Sequence, residues 1–149
     1  MRVVLQRAFG AACTVGDDIT GGFDGYGLVA LVGITHGDTP AIAERMAAKT
    51  WELRIFEAEL SAAELDLPIL VISQFTLYAN TRKGRRPSWN AAAPAPISEP
   101  LVNAYTTALR NHGARVSTGR FGAHMRISFT NDGPVTIILD SADWTALAT

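Results

Sequence analysis

Side chains able to hydrogen-bond a substrate and side chains able to hold its phosphates lie together in one stretch, P-I-L-V-I-S-Q-F-T-L-Y-A-N-T-R-K-G-R-R-P from Pro68 to Pro87. Ile69 to Ile72 is wholly apolar, as in a strand buried on both faces. The run ends in Ser73, Gln74, Phe75 and Thr76. If the chain stays extended, Gln74 and Thr76 share one face while Ser73 and Phe75 share the other. Arg82, Lys83, Arg85 and Arg86 follow, broken by Gly84 and closed by Pro87, with Trp89 just beyond. A buried strand ending in hydroxyls and an amide, next to a cationic loop, fits a pocket with a phosphate-rich ligand across its mouth. The loop has two readings: a solvated charge run, or a phosphate footprint with a stacking aromatic.

Ser73 and Thr76 are potential nucleophiles, but neither has a histidine near it in the chain. His36, His112 and His124 are scattered, and no H-x-x-x-H or C-x-x-C spacing occurs, so no metal site and no cofactor are expected. Hydroxyls without an evident base point to positioning more than covalent attack. Asn131-Asp132-Gly133-Pro134 also reads in two ways: a tight turn between strands, or a rigid cis Gly-Pro element with consecutive carbonyls on one side.

These residues must be held by a scaffold that the remaining sequence outlines. At 149 residues, 48% hydrophobic and 18% charged, the chain is expected to form one domain spanning residues 1–149. A net charge of -1 leaves any nucleic-acid signal to local patches. Cys13, the single cysteine, excludes an internal disulfide and reads as a small buried hydrophobe. The four-residue apolar run at the start is too short for a signal core, and no run has membrane-spanning length, so a cytoplasmic protein is expected.

Strands are predicted at Val3 to Leu5, Ala11 to Val15, Gly27 to Ile34, Ile69 to Ile72, Arg115 to Thr118, Met125 to Thr130 and Val135 to Asp140, with a short one at Arg54 to Phe56. The glycine-rich run Gly21 to Gly27 lacks the G-x-G-x-x-G spacing and a following helix, so it is not a dinucleotide loop. Helices are predicted from Pro40 to Leu53, capped by Thr39, and from Ser98 to about Asn111, stopped near Gly113. Glu57 to Leu67 reads as a loop or one helical turn. The expected class is α+β: a curled, mostly antiparallel, barrel-like sheet with two covering helices.

Together these motifs resemble the D-aminoacyl-tRNA deacylases. The resemblance rests on S-Q-F-T-L-Y at Ser73 to Tyr78 and N-D-G-P-V-T at Asn131 to Thr136. It extends to M-R-V-V-L-Q-R, V-G-I-T-H-G-D, K-G-R-R-P-S and F-G-A-H-M, in the family's order. It implies a homodimer that hydrolyses the ester between a D-amino acid, or glycine, and the terminal ribose of tRNA, as chiral proofreading. It implies that Ser73, Gln74 and Thr76 act in catalysis and that Phe75 and Met125 line the pocket. Gly133 and Pro134, held by Arg7, would enter the partner's pocket, while Lys83, Arg85 and Arg86 would meet tRNA. Two features differ from the family pattern. Glu57 to Leu67 is shorter than usual, and His124 replaces a common aspartate.

Overall fold

The computed structural model describes residues 1–146. Strands β1 (Arg2–Val15) and β2 (Asp18–Gly33) form a long hairpin turned at Gly16 and Asp17, paired from Val15 opposite Asp18 to Arg2 opposite Gly33 with register shifts between Phe9 and Ala11 and between Cys13 and Thr14. Helix α1 (Pro40–Glu52) carries the chain to β3 (Ile69–Ser73), which runs parallel to β2. Between them lie a 3₁₀ turn at Glu57–Glu59 and the four-residue helix α2 (Ala62–Leu65). Helix α3 (Ala95–Asn111) leads to β4 (Val116–Thr118), parallel to β3, and β5 (Arg126–Asp140) returns antiparallel to β1. A short helix, α4 (Ala142–Ala146), follows.

The sheet order is β4-β3-β2-β1-β5. It is open at β4 and β5, so the barrel-like expectation is corrected. The two long pairings are antiparallel and the two short ones parallel, because β3 and β4 are each reached through a helix. One face, including Val3, Leu5, Leu28, Val32 and Val71, packs on α1 and α3. On the other face Ala8, Cys13, Val29, Leu70 and Ile72 pack with Phe23, Met125, Ile127 and Phe129.

Several predicted boundaries move, each for a local reason. Val3 to Leu5 and Ala11 to Val15 belong to one strand, bent at Gly10, whose φ of +72° fits the register shift there. The extra residue flips the alternation, so Cys13 faces the same cluster as Ala8. Arg54 to Phe56 is not a strand; only an isolated bridge joins Phe56 to Leu60. Helix α3 begins at Ala95, before the predicted Ser98. Pro96 suits its first turn, and Pro100 lies close enough to the start to forgo only one backbone bond. Thr39 does cap α1, its side chain accepting from the Ile42 amide at 3.3 Å, and α3 stops beside Gly113 as predicted, with His112 at its C-cap.

The start of β1, the end of β5 and the segment after β3 are tied at one corner. The Met1 ammonium donates to Asp38 Oδ1 at 2.6 Å and Ser141 Oγ at 2.7 Å. Arg2 Nε donates to Asp140 Oδ2 at 2.9 Å, Arg2 Nη1 donates to the Leu77 carbonyl at 2.6 Å, and the guanidinium lies 4.7 Å over the Tyr78 ring. Burial pushes the Asp140 carboxyl up, but the Ala142 amide, Arg2 and the N-terminal ammonium outweigh it and hold it below the usual carboxylate range. Folding therefore favours the ionised form. Its contribution is complete above about pH 4 and is lost as pH falls through the lowered folded value. Asp140→Asn is expected to flatten the acid-side loss of stability. Denaturant midpoints at pH 7 and pH 3 should differ less than in the wild type, and an unchanged difference would count against this linkage.

Candidate active site

The apolar residues of β3 fill the sheet centre, and its last residue, Ser73, is half-buried at the edge of the core. The chain does not continue extended. Gln74 has φ -143° and ψ 80°, and Phe75–Tyr78 form a 3₁₀ turn. The predicted face-sharing of Gln74 and Thr76 is therefore corrected in its cause. They meet through a hydrogen bond from Gln74 Nε2 to Thr76 Oγ1 across a turn. The Gln74 amide donates to the Val32 carbonyl at 2.7 Å, anchoring the turn to β2.

A cavity of about 380 Å³ opens beside this turn. Ser73, Gln74 and Phe75 form one wall, Phe121 to Met125 another, and Ala95, Ser98 and Val102 of α3 a third. Met125 reaches the cavity because residue 119 is glycine: a Cβ there would overlap the Met125 sulfur. Thr76 is exposed and lies outside the lining, linked to it through Gln74. His124, far from Ser73 in sequence, also lines the cavity. Among the described residues no hydrogen bond joins His124 to Ser73 or Thr76, so no catalytic triad is assembled.

Phe75 is 56% exposed at the mouth, and Trp89 meets it edge to face, with ring centroids 5.2 Å apart. Between them Asn80 and Ser88 exchange two backbone hydrogen bonds at 2.9 Å, closing the base of the cationic loop. Lys83, Arg85 and Arg86 are exposed on it. The loop is thus placed next to the mouth by an aromatic pair as well as by sequence proximity.

Asn131-Asp132-Gly133-Pro134 does not join two paired strands, which corrects the tight-turn reading. Both flanks pair with β1 within the single strand β5. Gln6 faces Thr136 and Ala8 faces Asn131, so the extra residues bulge outward. The Gly133-Pro134 peptide is cis. Arg7 holds this bulge: Nε lies 3.1 Å from both the Asp132 carbonyl and its Oδ2, and Nη1 donates to the Ile55 carbonyl at 2.9 Å. Gly133 has φ +123°, and a Cβ there would approach Arg7 Nη2 to 2.8 Å. Sequence alone places Asn131 in a turn and assigns Gln6 no role. Asn131 Nδ2 donates to Gln6 Oε1 at 2.9 Å, to the Val135 carbonyl at 3.1 Å and to the Arg7 carbonyl at 3.2 Å, while Thr136 donates to Gln6. Only the paired strands reveal this network; an asparagine before Asp-Gly reads locally as a turn residue.

Within one chain, then, the structure collects Ser73, Gln74, Phe75 and Met125, and separately Arg7, Gly133 and Pro134. The exposed bulge does not line the Ser73 cavity. Glu57 to Leu67 walls a different cavity, of about 440 Å³, which includes Arg7 and Asp132.

A family profile described as D-Tyr-tRNA(Tyr) deacylase matches residues 4–140. A D-aminoacyl-tRNA deacylase of Nocardia farcinica is 59% identical over 143 residues, covering 95% of this chain and 100% of its own. Another, from Cutibacterium acnes, is 56% identical over 144 residues, covering 97% of this chain and 99% of its own. A solved structure titled c-Myc DNA Unwinding Element Binding Protein has a TM-score of 0.87 at 37% identity, over 95% of this chain and 99% of that one. Fold, site and relatives define a class, the hydrolases of aminoacyl-tRNA esters. The chain belongs to the D-aminoacyl-tRNA deacylase family.

Proposed function

We propose that the protein releases D-amino acids, and glycine attached to non-cognate tRNA, from the 3′ terminal ribose of tRNA while sparing L-aminoacyl esters. The observation that carries this is the cavity at the end of β3. It is bounded by Ser73, Gln74 and Phe75 and flanked by a cationic loop, in a chain matching the family over residues 4–140. An aminoacyl ester is already activated, so orientation and oxyanion donors suffice without a triad. The first N–H groups of a helical turn lack intrahelical partners. We assign those of Phe75 and Thr76 to the developing oxyanion, with the ribose 2′-hydroxyl assisting and Gln74 fixing Thr76. Phosphates of the acceptor end meet Lys83, Arg85 and Arg86.

Discrimination by handedness needs a rigid wall, because both enantiomers bury similar apolar area. The Gly133-Pro134 bulge has the required stiffness but stands apart from its own chain's cavity. In this reading a second copy inserts its bulge, where its carbonyls hold the substrate ammonium and its backbone excludes an L side chain. The open edge of β5 and Ile138, 66% exposed upon it, support a homodimer. Among the described residues no helix is long and apolar enough to cross a membrane.

The test is hydrolysis of D-Tyr-tRNA and L-Tyr-tRNA by purified protein with chelator present. Turnover of the D ester, with the L ester at least about 100-fold slower, is expected. Equal rates, activity abolished by chelation, or salt-sensitive tRNA binding without turnover would overturn the reading.

A further inference from the structure

Ser73 also borders a second, smaller chamber of about 60 Å³. It is lined by Val71, Ser73, Val102, Asn103, Thr106, Thr118, Gly119 and Phe121, so Ser73, Val102 and Phe121 border both this chamber and the main cavity. Half of its lining residues carry polar side chains, the hydroxyls of Ser73, Thr106 and Thr118 and the amide of Asn103, and the rest of the wall is apolar. Among the described residues, Thr106 Oγ1 is the buried side-chain polar atom that lacks a hydrogen-bond partner, on a residue only 4% exposed. A buried hydroxyl without a partner is costly and uncommon, and an internal water is its usual remedy. A cavity needs only about 10–15 Å³ of such space to hold one water, so the chamber has room for a water beside the Thr106 hydroxyl. Asn103, also on the lining, is an exposed residue, so the chamber borders the protein surface there.

We infer that this chamber is a hydration site that supplies the hydrolytic water by way of Ser73. The inference rests on the deacylase reading. An aminoacylated ribose entering the main cavity closes the front approach to its own ester carbonyl. A water passing from Asn103 to Thr106 and then Ser73 meets that carbonyl without crossing the substrate. In the reaction the water oxygen bonds to the acyl carbon and the bond from acyl carbon to ribose oxygen breaks. One water proton goes to the departing ribose oxygen, giving free amino acid and tRNA. Thr106 holds the water and does not touch the ester; it is a positioning residue.

The experiment compares wild type, Thr106→Val and Thr106→Ser on D-Tyr-tRNA, with thermal midpoints measured in parallel. Valine keeps the shape and removes the hydroxyl. The expected result is a fall in kcat of about tenfold for Thr106→Val with KM unchanged and no rise in midpoint, and recovery in Thr106→Ser. Wild-type kcat in Thr106→Val together with a raised midpoint would overturn the inference, since that pattern marks a hydroxyl that was simply unpaired. A crystal structure of the wild type supplies a readout that needs no variant. An ordered water within hydrogen-bond distance of Thr106 Oγ1 is expected, and a dry chamber overturns the proposal. Failure of the wild type to hydrolyse D-Tyr-tRNA would sink the deacylase reading itself, whereas an active wild type matched by Thr106→Val would sink only the water route.

Discussion

Arg7→Ala is expected to lower hydrolysis of D-Tyr-tRNA by at least about 100-fold, the scale of loss when a positioning group moves by an ångström. The side chain is only 14% exposed and joins three places distant in sequence: its own strand, Asp132 in the bulge and Ile55 after α1. Removing it leaves the Asp132 and Ile55 carbonyls without their charged donor and opens space beside Gly133. Stability is expected to fall by about 2–4 kcal/mol. Arg7→Lys should recover little, because one ammonium cannot reach the Ile55 and Asp132 oxygens in the arginine's fork geometry. Both variants are to be assayed by deacylation kinetics and urea midpoints. An Arg7→Ala protein with native rate would show that the bulge needs no such support.

Tyr105→Ala is expected to carry the largest stability cost, about 3–5 kcal/mol. Tyr105 is the largest fully buried side chain. Its hydroxyl lies 2.9 Å from Thr50 Oγ1, and Thr50 itself donates to the Met46 carbonyl at 2.9 Å. Tyr105 is therefore the donor in that pair, and the ring and its hydroxyl bond α3 to α1 over the sheet. Truncation leaves a ring-sized hole between the two helices. A thermal midpoint lower by roughly 10 °C is expected, while Tyr105→Phe should lose far less. Because Ser98 and Val102 of α3 also face the main cavity, loosening this helix should raise KM as well. A midpoint within experimental error of wild type would refute the packing argument.

Local chemistry made some elements legible from sequence alone. Thr39 with Pro40 announces the start of α1, and Ile69 to Ile72 is the central strand that its composition describes. Ser73, Gln74 and Phe75 could be placed side by side from sequence because that part of the cavity wall is contiguous in the chain, whereas Ala95, Ser98, Val102 and Phe121 reach the same cavity only through the fold. What sequence conceals is set by partners far along the chain. The strand β5 runs through Asn-Asp-Gly-Pro because β1 pairs with both flanks, whereas the tetrapeptide taken alone favours reversal. The bend at Gly10 depends on a φ that the surrounding alanines do not signal. Likewise His124 joins Ser73, and Asn131 joins Gln6, only after the sheet forms.

The loop of Thr81 to Pro87 is sealed at its neck by Asn80 and Ser88 and contributes nothing to either apolar cluster. Its charges can accordingly be exchanged, reversed or multiplied during evolution without disturbing the fold or the reacting residues. In the reading proposed above, a lineage could retune how strongly tRNA is held, and how strongly salt competes with it, through this one detachable cassette.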